Sequence, residues 1–223
     1  MMLDRETNPI DEYVRSLRTR LHGPVRLLDD LLAEARDGLW DAAADHRDAG
    51  LEPRLAQRRA VAEFGPVRPI AAAYQTEIAA RSARTLAMRT LGCALVLLAG
   101  GDLVWRGSPW AGTPPPSGYQ LVSMGVSGLW LSTAVLALAC AGALAWTARR
   151  PAAGGGWLAR VTGYGLAAAL TATLLCGLLL WAWSLRLWPA ALAWPPMLVG
   201  MLVLTAGYGW LASGVRNCLR AAR

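Results

Sequence analysis

The chain has no lysine: all 22 of its basic residues are arginine, a usage that, beside abundant alanine and leucine, suggests a GC-rich bacterial genome. Acids are scarce in one half only, because Asp102 is the single carboxylate after Glu77. Histidine is limited to His22 and His46, too isolated for a metal site or a catalytic dyad. The four cysteines, Cys93, Cys140, Cys176 and Cys218, form no C-x-x-C pair and sit in or beside apolar runs, so they read as small buried hydrophobes. Phosphate-loop, G-x-S-x-G and H-E-x-x-H motifs are absent, as is any paired-carboxylate motif suited to a pocket. The expectation is a protein that is not an enzyme and that needs no cofactor and no metal.

An apolar h-region with a small-residue cleavage site is also missing near Asp4, Arg5 and Glu6, so no secretory signal peptide is expected and the first eighty residues should stay in the cytosol. Charge is segregated along the chain. Residues 1–80 carry 14 Asp/Glu against 11 Arg, a net of −3, and residues 81–223 carry 11 Arg against one acid, a net of +10. With 55% hydrophobic residues, the excess arginine flanks apolar runs instead of lining one soluble face. That is a membrane-topology signal, and direct nucleic-acid binding is not expected.

Long hydrophobic runs are what the second part has. Four stretches, 86–105, 121–147, 161–185 and 196–215, are each near the twenty residues a helix needs to cross a bilayer. Arg81 and Arg84 precede the first and Arg89 trims its leading end, Arg149, Arg150 and Arg160 lie between the second and third, and Arg216, Arg220 and Arg223 follow the fourth. Only Arg106 and Arg186 occupy the other two loops, so the positive-inside rule puts both termini in the cytoplasm of a bacterial inner membrane. Trp105, Trp110, Trp181, Trp183, Trp188 and Trp194 then mark the outer ends, and Trp146, Trp157 and Trp210 the inner ones. The outer loops, one of which carries Pro114-Pro115-Pro116, are too short to form a ligand-binding domain.

The first eighty residues read as helices. Asn8-Pro9 caps and starts one that runs through Leu21, and Gly23-Pro24 breaks it. A second covers Val25 to Ala49 and stops at Gly50, with an apolar stripe of Leu28, Leu31, Leu32, Ala35, Leu39, Ala42 and His46. A third runs from Pro53 to Phe64-Gly65. From Pro69 a fourth meets no breaker before Gly92 and is expected to run on into the first span as one rod. The fold class is therefore all-α: a cytoplasmic domain of three to four helices over residues 1–80, then a four-helix transmembrane bundle over residues 81–223.

Several constellations have both a plain and a sharper reading. Asp30, Glu34, Asp37, Asp41, Asp45 and Asp48, at steps of three or four, form a carboxylate ridge opposite the leucine stripe. It is a solvated face, or else a docking strip for a basic partner or for Arg54, Arg58 and Arg59 of the third helix. Trp40, off the centre of the stripe, packs under a neighbouring helix or serves as a contact residue. Asp102 reads as an interfacial partner of Arg106 or Arg186 before it reads as an ion ligand, because it lies near a span end. Gly163-Tyr164-Gly165 and Gly207-Tyr208-Gly209 occur in helical runs, which excludes a potassium filter. These glycines, with Gly125, Gly128 and Ser132, suit close helix packing with the phenols at the interface, and they leave homo-oligomerisation open.

Ile10-Asp11-Glu12-Tyr13 with Leu17, Leu27-Leu28-Asp29-Asp30-Leu31-Leu32-Ala33-Glu34, Gly50-Leu51 and its following acid, Ala60, Phe64-Gly65-Pro66 and Ile70-Ala71 come in an order that resembles the HAAS signalling domain and the similar permease prefix domain of actinobacterial membrane proteins. The likeness covers roughly residues 9–80, and its firmest points are the Gly-Leu joint and the Phe-Gly turn. It implies a helical domain preceding membrane spans, often beside PadR-like transcriptional regulators, and supplies no catalytic residues. The expected function is a membrane-anchored regulator or adaptor whose helical domain binds a cytoplasmic protein partner, a PadR-like regulator or a transporter component. The alternative is a permease-like subunit of a transport complex.

Overall fold

In the computed structural model, residues 8–105, 108, 112, 114–148, 155–188 and 193–221 are described, apart from the side chains of 102–105, 147–148 and 155–156. They form seven α-helices and no strand: α1 (Pro9–Arg18), α2 (Val25–Asp48), α3 (Pro53–Phe64), α4 (Val67–Trp105), α5 (Ser117–Ala148), α6 (Gly155–Leu187) and α7 (Pro195–Ala221). Two compact units divide the chain, Met1–Ala79 with Arg220–Arg223, and Ala80–Leu219.

In the first unit local chemistry sets the helix ends. The Asn8 side chain accepts a hydrogen bond from the Ile10 amide at 2.9 Å, and Pro9, at the first helical position, has no amide to leave unpaired. α1 ends at Arg18 and not at Leu21, because the Arg20 and Leu21 amides reach back to the Leu17 and Arg18 carbonyls in a tightened last turn. α2 closes with a Schellman motif: the Gly50 amide donates to Arg47 O at 2.8 Å and the Leu51 amide to His46 O at 3.1 Å. That closure needs Gly50 at φ 93°, a conformation that side chains disfavour. Gly65, at φ 106°, also ends its helix at positive φ, with its amide donating to Val61 O at 3.3 Å. Pro69 is tolerated in the first turn of α4, where amides have no partner within the helix.

The core of this unit joins Ile10 and Tyr13 of α1, Leu39 and Ala43 of α2 and Ala60 of α3, with Trp40, Phe64 and Val67 packed on it. Ala43, not Ala42, continues the buried stripe, and Ala42 is half-buried at its edge. Both alanines lie on the buried side by helical spacing, and tertiary packing decides between them: Ala43 joins the core of Ile10, Tyr13, Leu39 and Ala60, and Ala42 packs against it from the rim. Tyr13 stacks edge-on against Phe64 at 5.7 Å and donates to Gly65 O at 3.0 Å, fixing α1 to the turn after α3. Burial pushes the Tyr13 phenol above its ordinary pKa. At the opposite end, the Gln75 amide accepts from the His22 amide at 2.9 Å and donates to His22 O at 2.8 Å and Ala221 O at 2.5 Å. One side chain thus ties the turn before α2 and the last residue of α7 to α4.

The second unit holds most of the apolar length. α4 to α7 are each long and apolar enough to cross a membrane, and α4 is continuous from Val67 to Trp105, as its lack of a breaker predicted. Only 11–33% of the most apolar window of each is buried, so the remaining hydrocarbon surface is suited to lipid. Ala94, Trp130, Ala134, Leu170 and Leu211 bring all four helices to one core, with Cys93 and Tyr208 packed on it. Cys93, Cys140 and Cys176 are half-buried and Cys218 is buried; all four are free thiols.

Two polar pairs cross between these helices. Ser184 gives its hydrogen to Leu180 O, so the buried Tyr119 hydroxyl donates to Ser184 Oγ, at 2.9 Å. Tyr208 donates to Thr173 Oγ1 at 3.2 Å. Tyr208 therefore points into the bundle and not to the membrane interface, whereas Tyr164 is exposed. Of the glycines expected to allow close packing, Gly163 does so: a Cβ there would lie 3.1 Å from Cys218 Sγ. Gly125 and Gly128 face open space, and the Ser132 hydroxyl bonds to Gly128 O at 2.6 Å within α5.

Candidate functional site

α2 is the element on which the candidate site is built. Its 24 residues span about 36 Å at 1.5 Å per residue, and its buried side is Leu28, Leu31, Leu32, Ala35, Leu39 and Ala43. At about 100° per residue, Asp30, Glu34, Asp37, Asp41, Asp45 and Asp48 fall within an arc of about 80° on the opposite side. All six are exposed. The ridge is thus a single strip of carboxylates running the length of the helix.

Three other acids of this unit, Asp11, Asp29 and Glu63, behave differently. Arg36 of α2 pairs with Asp11 of α1 at 2.8 Å, and Arg18 of α1 with Asp29 of α2 at 2.6 Å. Glu63 of α3 accepts from Arg59 at 2.6 Å and lies 3.0 Å from His46 of α2. Arg59 first, and His46 second, hold the Glu63 carboxyl below its ordinary pKa. The Arg36–Asp11, Arg18–Asp29 and His46–Glu63 pairs fasten helix to helix and Arg59–Glu63 lies within α3, while among the described residues none of the six ridge carboxylates has an ion pair. Among the described residues no ion pair joins the ridge to Arg58 or Arg59, and Arg59 is engaged by Glu63. His46 sits at the core edge, its imidazole turned to Glu63.

Trp40 lies at one flank of the ridge, half-buried, with its ring packed on the Ile10–Tyr13–Leu39 core. Part of its surface therefore stays open to solvent. Among the described residues, no three of His, Cys, Asp and Glu come together as a metal-binding group. Comparison with known proteins found no matching family model, curated protein or solved structure.

Asp102 falls in α4 with its side chain outside the described residues, and Arg106 is outside them altogether; Arg186 is exposed in the last turn of α6. A contact the sequence reading did not single out is Arg89 of α4 over the Trp210 ring of α7, at 4.8 Å from its centroid. The available signal was positional, since Arg89 begins the first apolar stretch and Trp210 is near the end of the last.

Proposed function

We propose that this chain is a non-enzymatic, membrane-anchored regulatory or adaptor protein of a bacterial cytoplasmic membrane, with both termini in the cytoplasm. Its helical domain binds a protein partner with a basic surface, a soluble regulator or a transporter component, along the carboxylate ridge of α2. The observation that carries this reading is selective charge pairing. Asp11, Asp29 and Glu63 each have a cationic partner, while the six ridge acids have none among the described residues. Like charges at i, i+4 cost a helix about 0.2–0.5 kcal/mol per pair, a cost that a basic partner would relieve. Trp40 at the ridge flank adds an aromatic edge of the kind enriched in interfaces.

The cytoplasmic assignment is supported by the nine arginines on one set of loops against two on the other. The bond from Gln75 to Ala221 supports it too, because it keeps the end of α7 with the N-terminal helices. Cross-linking pull-down with the full chain in detergent tests the reading. Wild type should retain a soluble partner that the Asp37→Arg/Asp41→Arg variant loses. Equal retention by both would refute it, and recovery of an ATP-binding protein instead would turn the account toward a transport subunit.

A further inference from the structure

We propose that Arg84 and Arg89 of α4 and Trp210 of α7 form a binding site for the phosphate headgroup of an anionic glycerophospholipid. The proposal rests on the membrane reading of α4 to α7 and is independent of the partner reading of α2.

A groove of about 400 Å³ opens on the second unit, lined by Arg84, Thr85, Met88, Arg89 and Trp210. Its construction starts with Gly214. Trp210 and Gly214 are four residues apart on α7 and so share a face. A Cβ at Gly214 would meet Leu86 Cδ1 at 3.1 Å and Arg89 Nη1 at 3.6 Å, so the missing side chain lets the Arg89 stem lie across α7. The guanidinium then rests on the Trp210 ring at 4.8 Å. Stacking on an indole orients the cation while leaving its in-plane donors free for a phosphate oxygen.

Charge and depth point to the occupant. Neither Arg84 nor Arg89 has a carboxylate partner among the described residues, and the one acid beyond Glu77, Asp102, is thirteen residues along α4, about 20 Å from Arg89. Arg84 is exposed and Arg89 half-buried, immediately before the charge-free part of α4. Trp210 lies near the end of the apolar stretch 196–215 of α7, in the position of an interfacial tryptophan. Headgroup phosphates occupy this level of a bilayer, and basic pockets between spans on the cytoplasmic side are a recurrent way of holding them. The remaining walls suit the rest of the lipid: Met88 is 54% exposed and Trp210 50%, both apolar surfaces against which an acyl chain can lie. Thr85 offers no competing donor, because its hydroxyl hydrogen goes to Arg81 O.

The test is native mass spectrometry of the full chain in neutral detergent, with phosphatidylglycerol and phosphatidylcholine of identical acyl chains at equal concentration. Wild type should retain phosphatidylglycerol preferentially. Arg84→Gln and Arg89→Gln should each weaken that retention about fivefold, the factor expected for one arginine at an anionic surface. Arg216→Gln, which removes an exposed arginine outside the groove, should leave it unchanged, and millimolar inorganic phosphate should not displace the lipid. Equal retention of both lipids, an Arg216→Gln effect as large as that of Arg89→Gln, or displacement by free phosphate would overturn the proposal. Should Arg89→Gln loosen the helices, Arg84→Gln still decides, since Arg84 takes no part in the stack; unchanged retention there would reduce the Arg89–Trp210 contact to a brace between α4 and α7.

Discussion

The helices of the N-terminal unit and those of the apolar unit share one backbone geometry but are held by opposite means. α1 to α3 have a clear inside and outside: leucines and alanines at helical spacing are buried, and arginine–carboxylate pairs clip one helix to the next. The membrane-length windows of α4 to α7 are apolar on nearly every face, so burial alone gives no direction in which to pack. Their orientation relies on fewer, more specific contacts, including the Tyr119–Ser184 and Tyr208–Thr173 hydrogen bonds and the close approach at Gly163. In water the hydrophobic effect selects the face, and in lipid small residues and hydroxyls must do so.

If that contrast holds, single substitutions should act unequally on the two units. The largest effect is expected for Leu39→Ala, which empties a fully buried site in the N-terminal core and should cost about 3 kcal/mol. Hydrogen exchange of the full chain in detergent would show it as faster exchange across α1 to α3. Gly23→Ala comes next: the new Cβ would lie 2.6 Å from Cγ2 of the fully buried Ile78, and forcing the turn before α2 away from α4 should cost about 2 kcal/mol. The same exchange experiment should register this nearest His22 and Gln75.

Removing one hydroxyl from the bundle should matter less. Tyr208→Phe and Tyr119→Phe each delete a single interhelical hydrogen bond, of a kind that averages about 0.6 kcal/mol in membranes. Unfolding in mixed micelles should move by about that amount, and a loss as large as that of Leu39→Ala would erase the contrast.

Charge changes on the N-terminal surface should move stability least. Asp37→Arg/Asp41→Arg should shift it by no more than about 0.5 kcal/mol, in the stabilising direction if the ridge repels itself, because the residues are exposed and unpaired. Glu63 provides a pH-dependent counterpart. Its pKa is depressed by Arg59 and His46, so its contribution to holding α3 is present above the ordinary carboxylate range and is lost as pH falls through the depressed value. Arg59→Gln should raise the Glu63 pKa toward the ordinary range, as followed by NMR titration of a selectively labelled Glu63 carboxyl.

Much of the first unit was legible residue by residue. Asn8-Pro9, Gly50 and Gly65 carry local chemistry that ends or begins a helix regardless of the rest of the chain, and each acts at its expected place. The end of α1 was misplaced because the last turn tightens without a breaker residue at Thr19. Ala42 fits the helical spacing of the stripe, but Ala43 is the one buried, because α1 and α3 close over it. The Gln75 clip was not legible, since it joins residues 146 apart and a glutamine gives no pattern. For the spans, hydrophobic length announced four helices, but the packed faces were hidden by uniform apolarity, and Tyr208 turned inward because Thr173 is there to accept its hydrogen. The ridge itself was visible in the spacing of its acids; the engagement of Arg59 by Glu63, four residues along α3, was not singled out there.

The account depends most on four crossings that return both ends of the chain to the arginine-rich side. Reporter fusions at residue 1, at residue 223 and within Pro114–Pro116 test this directly in cells, using green fluorescent protein for the inside and alkaline phosphatase for the outside. The account predicts fluorescence at both termini and phosphatase activity only at the proline segment. Phosphatase activity at either terminus, or fluorescence at the proline segment, would contradict it.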